Sequence, residues 1–484
     1  MIERLELLSP DAASAAVAEA LEVLSTLGIA LRDPEAIRVL GDHGARVDHG
    51  SRIFLPADLV QCALAAAPKV VPLFDTRQRQ THEIGGDRQY FVPGSTATTV
   101  LDRATGRARA PTTCDYVEYV KVLSGLPHLE AQSTAFVPSD VPSAIADSYR
   151  LYLSLRHGEK PVVTGTFSAA GFAVMRDLQL AVRAGSEGLR SMPLTIFSCC
   201  PTSPLAWSDD AARTLVDCAL SGIPVEIVPM PLAGFIAPVS LAGTLVQHTA
   251  EVLSGIAIAQ LARPGTPVLY GGASTIFDFR YETTPMGAIE SMMLACGAAQ
   301  IARHLDLPSQ AYIATSDARS LDAQAGLETG MGAVIAALAG INQVAGPGML
   351  DFGNGFSLEK LVVDHEICAI TARLRAGITA TESRPIDVIA ELLRDRHLLI
   401  ATDTRRHRRE QISLPGPTID RRSRKRWIEE GAGTLSERAA GQVDELVRCY
   451  RPPERPDDMN RALDERMRFE ARRCGLEALP TCER

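Results

Sequence analysis

"LTIFSCCPTSPLAWSDDAARTLVDCALSGIPVEIVPM", Leu194 to Met230, holds one complete strand–helix–strand unit. A short β-rich run, "LTIFSCC", gives way to "SDDAARTLVDCALSG", whose apolar residues recur every three and four positions and which closes on a glycine, as helices do. A second apolar run, "IPVEIVPM", follows at once. Apolar runs divided by helical spans are how parallel strands with crossover helices are written.

The unit recurs on both sides. Strands are predicted at "QYFVPG" (from Gln89), "LEAQSTAFV" (Leu129), "KPVVTG" (Lys160), Leu194, Ile223, "TPVLYGG" (Thr266), "SQAYIATS" (Ser309) and "NQVAGPG" (Asn342). Eight such units close most simply into an α/β fold, a (β/α)8 TIM barrel. A doubly wound open sheet is the rival, but it would carry a nucleotide fingerprint at its first turn, and none is present. The barrel is assigned to 86–377. Residues 1–85 form an N-terminal extension of helices and a small β element, and 378–484 a charged, helical C-terminal extension. Within the latter, "WIEEGAGTLSERAAGQVDELVRCY" is predicted as a peripheral helix stopped by "RPPERP".

With 484 residues, 46% hydrophobic and 22% charged, the chain can bury a large core and has the composition of a soluble globular protein. A formal net charge of −9 argues against a nucleic-acid binder, which needs a dominant basic face. The one basic segment, Arg405 to Trp427, is expected to be solvated surface, with an acidic partner as the alternative. The opening "MIERLELLSPDAASAAVAEALEVL" carries acids and amphipathic spacing, so a helix is expected rather than a signal peptide, and the cytoplasm as the compartment. The ten cysteines are accordingly expected as reduced thiols. The most membrane-like run, Met331 to Leu350, is broken by glycines, Asn342 and Pro347, and is predicted as a core helix followed by a strand.

In a barrel of this kind reactive groups gather at the carboxyl ends of the strands. No GxSxG elbow, phosphate-gripping loop or HExxH is present. The adjacent Cys199 and Cys200, with distant Cys296, make only a weak zinc-thiolate pattern, and no metal site is expected. Aromatic residues are few, 5% of the chain, yet Tyr270, Phe277, Phe279, Tyr281, Tyr312, Phe352 and Phe356 fall at or beyond the last three strand ends, and Phe136 at the second. Such rings suit a quaternary ammonium, although at least half are expected in the core. Arg280 is expected either to meet a substrate carboxylate or to pair with Asp278.

The stretches "MPLAGFIAPVSLAGTLVQHTAEVLSGIAIAQL" (Met230 to Leu261), "PVLYGGASTIFDFR" (Pro267 to Arg280), "SDARSLDAQAGLETGMGAVIAALAGINQVAGPGMLDFG" (Ser316 to Gly353) and "SLEKLVVDHEI" (Ser357 to Ile367) closely resemble the trimethylamine methyltransferase superfamily of corrinoid-dependent methyltransferases. The resemblance covers nearly the whole chain. It implies a (β/α)8 barrel that passes a methyl group from an amine to the Co(I) of a corrinoid carried by a separate protein, with methylcobalamin as the loaded form. A homo-oligomer is expected. The archetype carries pyrrolysine near the last strands, whereas "QVAGPGMLDFGNG" here has only ordinary residues.

That departure shifts the expected substrate from trimethylamine to a quaternary amine: glycine betaine, with proline betaine or carnitine as alternatives. A quaternary ammonium already leaves as a neutral amine and needs no general acid. Attack on a cation by anionic Co(I) removes charge, so a dry pocket that aligns the reactants favours it. In this picture Gly271, Gly272, Gly346, Gly348 and Gly353 make room for the corrin, and Asp317, Gln324 and Glu328 orient the site from behind. His248 and His365 are candidates for bonding the substrate carboxylate or lying under the corrin, a purely structural role being the alternative for each. The competing readings are a zinc-thiolate methyltransferase, a barrel lyase or hydrolase, and a non-catalytic betaine-binding or regulatory protein.

Overall fold

A computed structural model describes residues 4–48, 52–183 and 185–482. Eight short parallel strands form its centre: β1 (Tyr90–Val92), β2 (Gln132–Ser133), β3 (Val162–Thr164), β4 (Thr195–Cys199), β5 (Val225–Ile227), β6 (Val268–Tyr270), β7 (Gln310–Tyr312) and β8 (Gln343–Ala345). All eight lie where the apolar runs predicted them. β2 to β6 form one parallel ladder, and β7, β8 and β1 another. A parallel bridge from Tyr270 to Ser309 joins the ladders on one side. On the other, Glu130 N donates to Phe91 O at 3.1 Å and Ala97 N to Ala135 O at 2.8 Å, closing the barrel.

Each strand is followed by a helix: α1 (Thr113–Ser124), α2 (Ser143–His157), α3 (Ala169–Arg183), α4 (Asp209–Ser221), α5 (Leu241–Ala262), α6 (Ile289–His304), α7 (Ala323–Ala339) and α8 (Leu358–Arg375). α4 shows how the sequence writes them. Ser208 caps its N-terminus by accepting from Ala211 N, Gly222 ends it in the left-handed region, and Ala212, Leu215, Val216 and Ala219 turn one buried face inward. The membrane-like run becomes the end of α7 followed by β8, and among the described residues no helix is long and apolar enough to cross a membrane.

Side-chain alternation divides the barrel into layers. Val92, Ala131, Val163, Ile196, Leu269 and Ala345 point inward and pack on Val71, Leu73 and Ile84. Those three belong to an antiparallel hairpin, Val71–Phe74 with Gln80–Ile84, so a piece of the N-terminal extension plugs the amino end of the barrel. Residues of the opposite parity, such as Phe197 and Tyr270, join the outer core beneath the helices.

Three expectations are corrected. The opening helix spans Pro10–Thr26, capped by Ser9, and begins later than its amphipathic spacing suggested; residues 1–3 lie outside the described residues. The C-terminal helix divides in two, Arg424–Glu429 and Leu435–Cys449, because "GAG" interrupts it. Nor are all the cysteines free: Cys114 at the start of α1 and Cys482 form a disulfide with Cα atoms 5.3 Å apart.

Candidate active site

A cavity of about 710 Å³ opens at the carboxyl ends of the strands. Its wall is built from residues immediately beyond those ends: Ser95 and Thr96 after β1, Gly165 and Thr166 after β3, Cys200 after β4, Met230 after β5, Ala273 after β6 and Met349 after β8. Tyr312, the last residue of β7, and Phe352 supply rings. Tyr312 faces the cavity because it shares the inward parity of Gln310, while Ala311 between them joins the outer core.

Glu226 of β5 lies just beneath the floor and is fully buried. Its carboxylate accepts from Ser198 Oγ at 2.6 Å and from Gln343 Nε2 at 2.5 Å, and Ser198 itself lines the cavity. Burial pushes this carboxyl up to about 7, more than the two donors lower it. Sequence reasoning missed it, although an acid in the middle of the apolar run "IPVEIVPM" was a signal.

Arg150 of α2, also missed, stands in the wall at 1% exposure. Its Nη2 donates to Asp147 Oδ1 at 2.7 Å and its Nη1 to Thr134 O at 3.1 Å, while Nε has no partner among the described residues. Asp147 in turn accepts from Phe167 N at 2.6 Å, fixing the β3 loop. The cavity thus carries a guanidinium in one wall and a titratable carboxyl under its floor.

The expected site residues are distributed differently from the sequence reading. Of the proposed substrate contacts, Tyr312 and Phe352 line the cavity, and of the glycines, Gly353 does. Tyr270 points away, its hydroxyl 2.7 Å from Thr249 Oγ1 on α5. Phe136 and Phe356 pack 5.5 Å apart in a buried aromatic cluster with Tyr116 and Tyr119. Phe277 stacks on Phe235 at 4.7 Å and meets Phe279 edge-on at 5.4 Å, in a rim built on the paired loops Leu232–Ala233 and Thr275–Ile276. Arg280 is on the outside, paired with Asp278 at 2.6 Å, and offers nothing to a ligand inside.

The histidines do not reach the cavity wall either. His248 bonds Ser274 Oγ at 2.7 Å from behind the strand end, and burial lowers it to about 4. His365 lies in the middle of α8 with its ring 5.2 Å from His128, and burial lowers it to about 4 as well. Burial keeps both rings neutral at neutral pH. Asp317 accepts from Met286 N at 3.0 Å and Gly287 N at 2.9 Å; Glu328 accepts from Asp317 N at 2.8 Å and from Gln324 Nε2 at 2.9 Å. This chain of acceptors holds the β6 loop that brings Met286 to the cavity.

Gly346 and Gly348 are buried, and their glycine identity answers to packing rather than to an approaching ligand. At φ 132° a Cβ on Gly346 would come within 2.7 Å of the Ala314 backbone, and at φ 88° one on Gly348 would lie 2.4 Å from the Phe356 ring. Gly271 and Gly272 are likewise buried, with the Ile227 carbonyl and the His248 ring against them. Gly348→Val is therefore expected to cost about 2–4 kcal/mol of stability through backbone strain and overpacking. A urea-unfolding midpoint checks this, and an unchanged midpoint would contradict the packing role.

The trimethylamine methyltransferase (MTTB) family profile matches residues 1–474. The chain belongs to that family. The trimethylamine methyltransferase MttB of Desulfitobacterium hafniense (strain DSM 10664 / DCB-2) is 30% identical over 92% of this chain and 89% of its own length. The glycine betaine methyltransferase of D. hafniense (strain Y51) is 27% identical, covering 94% of each chain. The crystal structure of Methanosarcina barkeri monomethylamine methyltransferase (MtmB) superposes with a TM-score of 0.51 at 12% identity, over 96% of this chain and 93% of that one, and shares the fold. The cavity described above is therefore the candidate active site of a methyltransferase of the MTTB family.

Proposed function

We propose that the chain moves a methyl group from a betaine, a quaternary ammonium bearing its own carboxylate, to a corrinoid carried by a separate protein. The observation that carries this reading is the opposed polarity of one cavity, with Arg150 in the wall and Glu226 beneath a floor that also presents the Tyr312 ring. A zwitterion seats across it with the ammonium over Tyr312 and Glu226 and the carboxylate toward Arg150. Likeness to a glycine betaine methyltransferase supports the same substrate class.

In this reading the methyl acceptor comes from outside the chain. The Cys200 thiol stands in the cavity wall and is pushed up from its ordinary value, by the protein packed around it first and then by the neighbouring Cys199 and Glu226. A thiol shifted in this direction stays protonated at neutral pH and is a poor nucleophile. A zinc-thiolate site also lacks ligands, since among the described residues no three His, Cys, Asp or Glu side chains are grouped to hold a metal. The partner's reduced corrinoid would supply the nucleophile. The residues of this chain bind and orient the cation, and they keep water from its methyl groups. A cavity of about 710 Å³ leaves room beyond a small amine for an acceptor entering at the mouth.

Calorimetric titration tests the substrate class. Glycine betaine is expected to bind at least about tenfold more tightly than tetramethylammonium, which lacks the carboxylate, or than protonated trimethylamine. Equal binding of all three would overturn the betaine reading.

A further inference from the structure

Phe167 sits in the loop 165–168 between β3 and α3, where it lines the cavity and is 61% exposed. A phenylalanine so placed lacks the burial that ordinarily fixes such a side chain. What its ring does meet is Arg150, whose Cζ lies 5.5 Å from the ring centroid, within reach of a cation–π attraction. The guanidinium in the cavity wall is thus capped by a ring that remains largely in solvent.

The backbone beneath the ring is fixed. Phe167 N donates to Asp147 Oδ2 at 2.6 Å, and Ala169 N, at the start of α3, to Asp210 Oδ1 at 3.0 Å. The other oxygen of Asp147 holds Arg150, so one buried carboxylate spaces the guanidinium from the root of the ring. Rotation about the Phe167 side-chain bonds therefore moves the ring on and off Arg150 while the loop stays in place. Arg150 also keeps a free donor, since its buried Nε–H has no acceptor among the described residues. A buried, charged donor without an acceptor is costly, and in a cavity wall it points to an anionic ligand.

We infer, on the betaine reading above, that Phe167 is a specificity-determining gate over Arg150, opened by the ligand's carboxylate and drawn onto its quaternary ammonium. A carboxylate that reaches Arg150 neutralises the charge to which the ring is attracted, and the ring's hold on the guanidinium weakens. The same ligand brings its own cation one methylene away, for which the ring is then free. Tyr312 on one side and Phe167 on the other enclose that ammonium and keep water from its methyl groups. A cation without a carboxylate leaves the ring on Arg150 and gains nothing from it.

Calorimetric titration of the full chain with glycine betaine and with tetramethylammonium chloride tests the gate. Phe167→Ala and Phe167→Leu are each expected to weaken glycine betaine by about tenfold and tetramethylammonium by less than about twofold, while Phe167→Tyr keeps wild-type affinity for both. The thermal midpoint should not move in any of the three, because the ring is exposed. Leucine restores bulk without a π-face, so a side chain that only fills space would be rescued by it. Wild-type affinity for glycine betaine in Phe167→Ala or in Phe167→Leu overturns the gate and leaves the substrate reading standing. Equal weakening of both cations overturns it too, since the ring would then serve any ammonium. A wild type that does not prefer glycine betaine overturns the substrate reading itself, and the gate with it.

Discussion

Glu226→Gln is expected to weaken binding of a quaternary ammonium by about 1.5–3 kcal/mol, one to two orders of magnitude in Kd, and to abolish the pH dependence of that binding. The wild-type carboxyl, held near 7 by burial, offers its charge only when ionised. Affinity should therefore rise as pH climbs through about 7 and level off above it. Binding the cation favours the ionised form, so a proton is released near neutrality and appears as a buffer-dependent heat in calorimetry. In Glu226→Gln that heat disappears. Stability moves the other way. Because the folded-state carboxyl titrates above its model value of 4.5, the folded protein binds more protons than the unfolded chain between those values. The group's contribution is thus greatest below 4.5 and falls as pH rises to about 7. The amide, which never ionises, should melt no lower than wild type at pH 8, separating loss of binding from loss of fold. An unchanged pH profile in the variant would remove Glu226 from the site.

Lys360→Met is expected to destabilise the protein by about 3–5 kcal/mol, the range for removing one partner of a buried ion pair. Lys360 is 0% exposed; its Nζ donates to Asp364 Oδ2 at 2.5 Å and to Thr329 Oγ1 at 2.8 Å. Asp364 Oδ2 also accepts from Gly348 N at 2.7 Å. One carboxylate therefore ties α8 both to α7, through the lysine, and to the turn after β8 that carries Met349 into the cavity wall. With methionine in place the carboxylate stays buried without its cation. Lys360→Met/Asp364→Leu should recover only part of the loss, because the Gly348 N–H then lacks its acceptor. Denaturant unfolding measures both, and a single-variant loss below about 1 kcal/mol would show the pair to be incidental.

The fold was legible because parallel barrel strands are buried on both faces and so stand out as short continuous apolar runs between helical spans. "KPVVTG", "LTIFSCC" and "IPVEIVPM" each became a strand. The site was less legible for a geometric reason. Nearness to a strand end is written in the sequence, but the face of the strand is decided by a one-residue parity. Tyr270 and Tyr312 both end strands, yet only Tyr312 points inward. The same parity hid Glu226, placed opposite Ser198 by the β4–β5 register. Arg150 was hidden in a helix read as ordinary, although an arginine in "SYRLYLSL" becomes conspicuous once Ile145 to Leu155 prove buried throughout. The run "GPGMLDFGNG" has four glycines; two of them, Gly346 and Gly348, serve a turn packed against Ala314 and Phe356, and Gly353 alone lines the cavity.

The reading of the chain as a betaine methyltransferase with an external acceptor is tested most directly by quantifying dimethylglycine after incubation with glycine betaine, with and without a reduced corrinoid protein. Dimethylglycine formed in proportion to the corrinoid protein, and absent without it, is the predicted result. Dimethylglycine in equal amount without that protein, or none with it while trimethylamine is demethylated in its place, would contradict the account.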